Sequence, residues 1–347
     1  MKTKSVALSL LTLIVLSLVL GACGSTNTPV ATSGNAGKLT TLTLAMDWVP
    51  NTNHTGIYVA LQKGWYKEEG IDLQILPYSD GASPETLVAT GKADLGIAGG
   101  EGLVTSVAAG QPLVSIAAII QKDTSAFVTR KDSGIASPKQ FEGKRYAGFG
   151  AAYEEPVIAA MMKKDGSTST KFQNVTTNVF GFEAVASKQA DFVWIFMGWD
   201  GIQAQMQNIE LNLIPPTKYG VPERYTPIII TNTANTSAKA DALKKFGKAT
   251  ARGYDFAIAN PKEAADLLIA GSPKGTFSNT DLVYKSQDYL SPRYKEGSDK
   301  WGMQLLKIWT DFPKFMYDNK LLVDETGKPL AKELDYNKLF TNEFLPK

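Results

Sequence analysis

The chain of 347 residues has one cysteine and one histidine, and that scarcity removes several kinds of chemistry at once. A single cysteine forms no internal disulfide. A single histidine with no second imidazole or thiolate beside it builds no Cys/His metal cluster. No Ser-His-Asp set can be argued around His54, and neither a phosphate-binding loop nor a dinucleotide fingerprint occurs. Past residue 22 no apolar run is long enough to span a bilayer. Neither sign of charge dominates: Lys and Arg number 36 against 34 Asp and Glu, and without Lys2 and Lys4 the balance is zero. With no concentrated basic patch, nucleic acid is not an expected partner. What is present is ordinary soluble composition, 44% hydrophobic and 20% charged, at a length suited to about two domains.

The first residues, "MKTKSVALSLLTLIVLSLVLGACGS", run from a basic start through an apolar stretch to Leu20-Gly21-Ala22-Cys23. Small residues before a cleavage point fit a secretory signal, and this one resembles a bacterial lipoprotein signal, in which the cysteine becomes the lipid-bearing N-terminus. The expectation is a signal peptide over residues 1–22, with Cys23 as the lipidation site and membrane attachment through its lipid. A plain signal peptide with an incidental cysteine is the alternative. Residues 23–38 are small and polar, without hydrophobic period, and read as a flexible tether reaching roughly 20 Å.

From Leu39 onward strands and helices alternate. "LTTLTLAMDW" reads as a buried strand, "TGIYVALQKGWYKEEG" as one amphipathic helix stopped by Gly70, and "IDLQILPY" as a second strand. Ser83 precedes Pro84 and Glu85 as an N-cap before a first-turn proline and acid. "DLGIAGG", "LVSIAAII" and "SAFVTRK" follow as strands, and the same alternation then repeats through "YTPIIITN". After Ala238 the chain is nearly all helix, with Trp301, Trp309, Phe312, Phe315 and Tyr317 at core spacing. The pattern predicts an α/β protein of two doubly wound, parallel sheets. Residues 39–132 and 230–347 would form lobe one and residues 133–229 lobe two, with crossings near Lys131–Ser137 and Pro222–Thr233. Ligands of open α/β sheets sit at the C-terminal ends of the strands, and two lobes joined by two crossings would close a cleft there.

Four stretches carry a family resemblance: "DWVPNTNHTGIYVALQKGWYKEEGIDLQI", "GFGAAYEEP", "GWDGIQAQMQNIELNLIP", and "YGVPERYTPIIITN" with the terminal "FTNEFLP". Together they make residues 40–347 similar to the solute-binding proteins of bacterial ABC importers, most of all to the branch that binds pyrimidine precursors of thiamine. The resemblance implies a type II periplasmic-binding-protein fold, a small heterocyclic solute, permease and ATPase subunits as partners, no cofactor, and a monomer at the outer face of the membrane. The same superfamily includes a fungal pyrimidine synthase that needs a lysine and a histidine near the end of the third strand and a cysteine-rich run. Here "LGIAGGEGLVTS" has neither residue and the body has no cysteine, so an enzyme is not expected.

A 4-aminopyrimidine asks for an aromatic face, an acceptor for its amino group and a donor for ring nitrogen. Asp47 and Trp48 are expected to supply acceptor and face, the alternative being a packed tryptophan and an elbow cap. Asn51 is a further polar candidate. His54 either touches the solute or caps and packs at the elbow. Gly100 and Glu101, where a strand opens into a helix, allow close approach to backbone N–H groups, although Glu101 also suits the helix dipole alone. In lobe two Tyr153 and Glu154 offer a face and a carboxylate, Trp199 and Asp200 lie past a strand end, and Tyr225 either lines the cleft or stiffens the hinge. Riboflavin is the leading rival solute, followed by taurine or an alkanesulfonate.

Overall fold

The structure, a computed structural model, describes residues 38–79 and 81–347. The expected signal peptide, Cys23 and nearly all of the tether lie outside the described residues. Two five-stranded sheets organise the body. The first contains β1 (Thr40–Ala45), β2 (Ile71–Leu76), β3 (Leu95–Ala98), β4 (Leu113–Ala118) and β10 (Ile228–Asn232), in the order β2-β1-β3-β10-β4. The second contains β5 (Ser125–Arg130), β6 (Arg145–Ala147), β7 (Gln173–Asn174), β8 (Phe192–Phe196) and β9 (Leu211–Ile214), in the order β7-β6-β8-β5-β9.

The sheets are mixed rather than all parallel. β1 runs parallel to β2 and β3, with Thr40 opposite Ile71 and Leu44 opposite Leu95. β10 is antiparallel to both β3 and β4, and β5 is antiparallel to both β8 and β9. These two exceptions are the strands that follow a crossing, so each enters its sheet from the opposite direction.

The position of β5 also moves a boundary. On the sequence alone β5 belongs to lobe one, with the first crossing near Lys131–Ser137. The sheet pairing instead puts β5 in the second sheet, so the crossing occupies residues 119–124. The physical reason is that β5 is a central strand buried on both faces, and such a strand carries no alternation to say which sheet it joins. Likewise the single helix expected before Gly70 is broken. α1 (Thr55–Gln62) ends, and α2 (Trp65–Glu68) starts again after Gly64 at φ +74°, a left-handed step that favours glycine.

The remaining helices are α3 (Pro84–Ala89), α4 (Gly100–Ala108), α5 (Glu154–Lys164), α6 (Phe182–Ala186), α7 (Ile202–Met206), α8 (Asn235–Ala238), α9 (Ala240–Ala259), α10 (Pro261–Gly271), α11 (Thr280–Leu290) and α12 (Leu306–Asp318). Ser83 caps α3 as expected, accepting from the Thr86 N–H. α9 lies against α1 so closely that a Cβ on Gly253 would meet the Gly56 carbonyl oxygen at 1.9 Å. Tyr254 of α9 stacks on Trp301 at 4.3 Å, within a core that also buries Leu44, Ile57 and Phe246. A second apolar cluster runs from Ala45 and Ile228 through Tyr225, Trp309 and Phe312 to Phe127 and Trp194, so the crossings are packed rather than loose. No helix among the described residues is long and apolar enough to cross a membrane.

Candidate functional site

β1 delivers Asp47 and Trp48 to its C-terminal end, and the following elbow fixes the acid. Asn51 opens a single 3-10 turn, Thr52–His54, with its side-chain oxygen accepting from the Asn53 N–H at 2.9 Å. Its amide donates to the Val49 carbonyl at 3.0 Å. The Asn51 backbone N–H donates to His54 Nδ1 at 3.2 Å, which puts the ring proton on Nε2, and that nitrogen donates to Asp47 Oδ1 at 2.8 Å. The tautomer follows from the hydrogen-bond pattern. His54 is fully buried and is a positioning residue for Asp47. The polar groups of Asn51 and His54 are engaged within the elbow, which accounts for both without a solute. Trp48, by contrast, is 46% exposed.

Opposite Trp48 stands lobe two. β8 ends in a wide turn, Met197–Gly201, that presents Trp199 and Asp200. Trp199 leans on Phe277, in the loop between α10 and α11, ring centres 6.2 Å apart. Asp200 lies so close to Gly181 that a Cβ there would sit 2.2 Å from its Oδ1. Burial pushes the Asp200 carboxyl up to about 6, with a smaller push from Glu183 and partial relief from backbone hydrogen bonds at Phe196 and Asp200. Trp48, Phe180, Glu183, Trp199 and Asp200 line one pocket of about 290 Å³. Residues of both lobes line it, and its size suits a single small ring system. A larger groove of about 850 Å³, lined by Gly148, Glu155, Phe172 and Asn174 among others, lies wholly on lobe two.

Apart from that pocket, the second crossing carries a buried arginine. Arg224, 1% exposed, donates through Nε to Glu101 Oε1, through Nη1 to Asp123 Oδ2 at 2.7 Å and through Nη2 to Ser125 Oγ at 3.2 Å. Its guanidinium also lies over the Trp194 ring, 5.2 Å from the centroid. Burial works against the charge of Arg224, but Asp123 and Glu101 more than offset it and hold the guanidinium protonated. One arginine thus ties the second crossing to the first and to the start of α4. Glu101 is 3% exposed, and its Oε2 has no hydrogen-bond partner among the described residues. Glu85 is pushed up by burial and, more weakly, by the Asp47 and Glu101 charges, so three carboxylates share this face of lobe one. Tyr153 faces them from lobe two. Burial, then the Glu101 charge, raise its phenol well above the usual range, with Arg224 acting the other way.

The structure therefore sorts the expected residues. Trp48, Trp199 and Asp200 come together at the mouth, with Asp47 beside them. The Glu101 charge reaches Tyr153 beside the second crossing. Three others are structural. Gly100 donates its N–H to the Tyr225 carbonyl at 3.0 Å, and a Cβ there would lie 2.6 Å from that oxygen, so the hinge segment fills the space a solute would need. Tyr225 is buried, its hydroxyl accepting from the Leu305 N–H at 3.0 Å, which makes it a hinge strut. Glu154 accepts from the Tyr146 hydroxyl and from the Phe149 and Ala151 N–H groups, which makes it a cap for its own turn. Sequence reasoning passed over Arg224 and Phe180 and read Glu85 only as a first-turn acid. An arginine held between Pro222 and Pro227, beside Glu223, was the available signal.

Residues 51–264 match the family model described as NMT1/THI5 like. The formylaminopyrimidine-binding protein of Halalkalibacterium halodurans is 26% identical over 86% of this chain and 91% of its own. A riboflavin-binding protein, RibY, of Chloroflexus aurantiacus is 24% identical over 100% and 99%. A 4-amino-5-hydroxymethyl-2-methylpyrimidine phosphate synthase of Legionella pneumophila is 25% identical over 88% and 92%. Among solved structures, the alkanesulfonate-binding protein SsuA of Xanthomonas axonopodis pv. citri superposes with a TM-score of 0.60 at 13% identity, covering 85% of this chain and 98% of that one. The fold is that of the periplasmic binding proteins.

Proposed function

The chain belongs to the NMT1/THI5-like family, and from that premise we propose that it is an extracytoplasmic solute-binding protein that captures a thiamine-related aminopyrimidine between its lobes. Hydroxymethylpyrimidine and formylaminopyrimidine are the solutes of choice, handed to an ABC permease driven by separate ATPase subunits, with Cys23 carrying the lipid that keeps the protein at the membrane. The observation that carries this reading is the pocket shared by Trp48 of lobe one with Trp199 and Asp200 of lobe two. Two indoles supply faces for a flat ring and a carboxylate supplies an acceptor for its amino group. Asp47, held by His54 through one oxygen only, supplies a second acceptor.

The charge of the cleft supports an amino-bearing solute over an anion. Asp47, Glu85 and Glu101 repel a sulfonate, and the buried cation near them, Arg224, is already paired with two acids. Binding without turnover fits the segment Leu95–Ser106, which has no lysine or histidine to hold a pyridoxal group or to donate ring atoms.

Thermal unfolding of the full-length chain against a panel of hydroxymethylpyrimidine, formylaminopyrimidine, riboflavin and taurine tests the proposal. A solute at 100 times its Kd stabilises by about 2.7 kcal/mol. A shift with a pyrimidine upholds the reading. A shift with riboflavin alone keeps the binding role and replaces the solute, and a shift with taurine alone overturns the acid-lined cleft.

A further inference from the structure

Glu101 has a hydrogen-bond account that the protein itself leaves open. Its Oε1 is held by Arg224, while Oε2 is buried and unpartnered among the described residues. A buried charged group left without a partner costs at least about 1–3 kcal/mol, so a chain that keeps one has a use for it. Oε2 packs directly against Gly99, where a Cβ would stand 2.7 Å away. The hydroxyls of Tyr153 and Thr226 are close by, yet neither bonds to Oε2. Arg224 already grips the other oxygen, and the remaining charges on this face, Asp47 and Glu85, are acids that repel Glu101. A donor carried by the solute would fill that place.

We propose that Glu101 is the specificity-determining acid of the cleft: with Oε1 fixed by Arg224, Oε2 accepts an N–H of the bound heterocycle, so the cleft takes an amino edge and rejects a carbonyl edge. The assignment rests on the reading that a heterocycle binds between the lobes. A carbonyl oxygen set against Oε2 would bring two acceptors together with no proton between them, and the buried position gives water little chance to mediate.

The test is calorimetric titration of the full-length chain with 4-amino-5-hydroxymethyl-2-methylpyrimidine and with its 4-oxo counterpart. The wild type binds the amino form at least about tenfold more tightly. Glu101→Gln, whose amide can turn an N–H toward a carbonyl, loses about 10–100-fold for the amino form and erases the preference. Asp123→Asn is the control, because it removes the other carboxylate from the same arginine without touching Oε2. It lowers the melting temperature and keeps the preference. Should Glu101→Gln fail to fold, Glu101→Asp keeps the charge on Arg224 while withdrawing the acceptor, and the same loss of preference is expected.

An amino-form affinity for Glu101→Gln within about threefold of wild type overturns the assignment and leaves the binding role standing. Equal loss of preference in Asp123→Asn overturns it as well, since the effect would then be structural. If the wild type binds neither pyrimidine but binds riboflavin, the choice of solute fails and the amino-edge assignment fails with it, since the flavin N3–H is flanked by two carbonyls.

Discussion

Glu101 and Glu154 form a natural pair. Each is 3% exposed, each sits in the first turn of a helix that follows a strand, and each belongs to a different lobe. At Glu154 both oxygens are engaged: the Tyr146 hydroxyl and the Phe149 N–H reach Oε2, and the Ala151 N–H reaches Oε1. At Glu101 one oxygen meets an arginine and the other meets nothing. The same residue type at the same burial therefore does two jobs, and what separates them is whether the protein supplies every donor. A carboxylate whose hydrogen bonds close within its own turn is architecture. One held firmly by half and left open by half is positioned for a visitor.

The comparison is broken most forcefully at Arg224. Arg224→Met leaves Glu101 and Asp123 buried without a counter-charge and is expected to remove about 3–5 kcal/mol of unfolding free energy in urea titration. A loss near zero would mean that Glu101 is not fixed and the contrast has no basis. Glu154→Ala strips the partner from three donors and is expected to cost about 2–3 kcal/mol, while pyrimidine affinity stays within about threefold of wild type at a temperature where the variant is folded. An affinity loss as large as that of Glu101→Gln would erase the distinction between the two acids.

Asp200 sharpens the same contrast through pH. Its carboxyl is raised from 3.8 to about 6, so the folded state binds the proton more tightly than the unfolded chain does. The stability this contributes is full below pH 3.8 and is lost as pH rises through about 6. Asn does not ionise. The unliganded Asp200→Asn variant should therefore match wild type near pH 4 and exceed it by about 1–3 kcal/mol at pH 7.5, while binding the pyrimidine less tightly. Melting curves at the two pH values check the first part and calorimetry the second. The smallest stability change belongs to Trp48→Ala. An indole 46% exposed contributes no more than about 0.5 kcal/mol to folding, yet its loss should weaken solute binding by about tenfold or more, the worth of one stacking face.

Much of this was legible in the sequence, for identifiable reasons. The alternation of "LTTLTLAMDW" marks the strand β1, and its position just past the strand end brings Trp48 to the pocket it shares with Trp199. Ser83-Pro84-Glu85 announces α3, and its cap is where those residue types put it. What failed to read is equally physical. β5 is apolar on both faces, so its sheet was undetermined and the first crossing was misplaced by about a dozen residues. Glycine's freedom is invisible until the backbone is drawn, which hid the break at Gly64 and the tight contact at Gly100. Hydrogen-bond partnership was the largest gap. Asn51, His54 and Glu154 are polar residues at strand or helix ends, as solute ligands are, and only their partners reveal that they serve the elbow and the turn instead. Arg224 lies more than a hundred residues from Glu101 in the chain, a separation that no local pattern bridges.

The most direct test is a crystal structure of the chain grown with formylaminopyrimidine. The account predicts density for the ring between Trp48 and Trp199, its amino edge toward the carboxylates of the cleft. Density in the lobe-two groove beside Glu155 and Asn174, with the space between the two tryptophans empty, would contradict it.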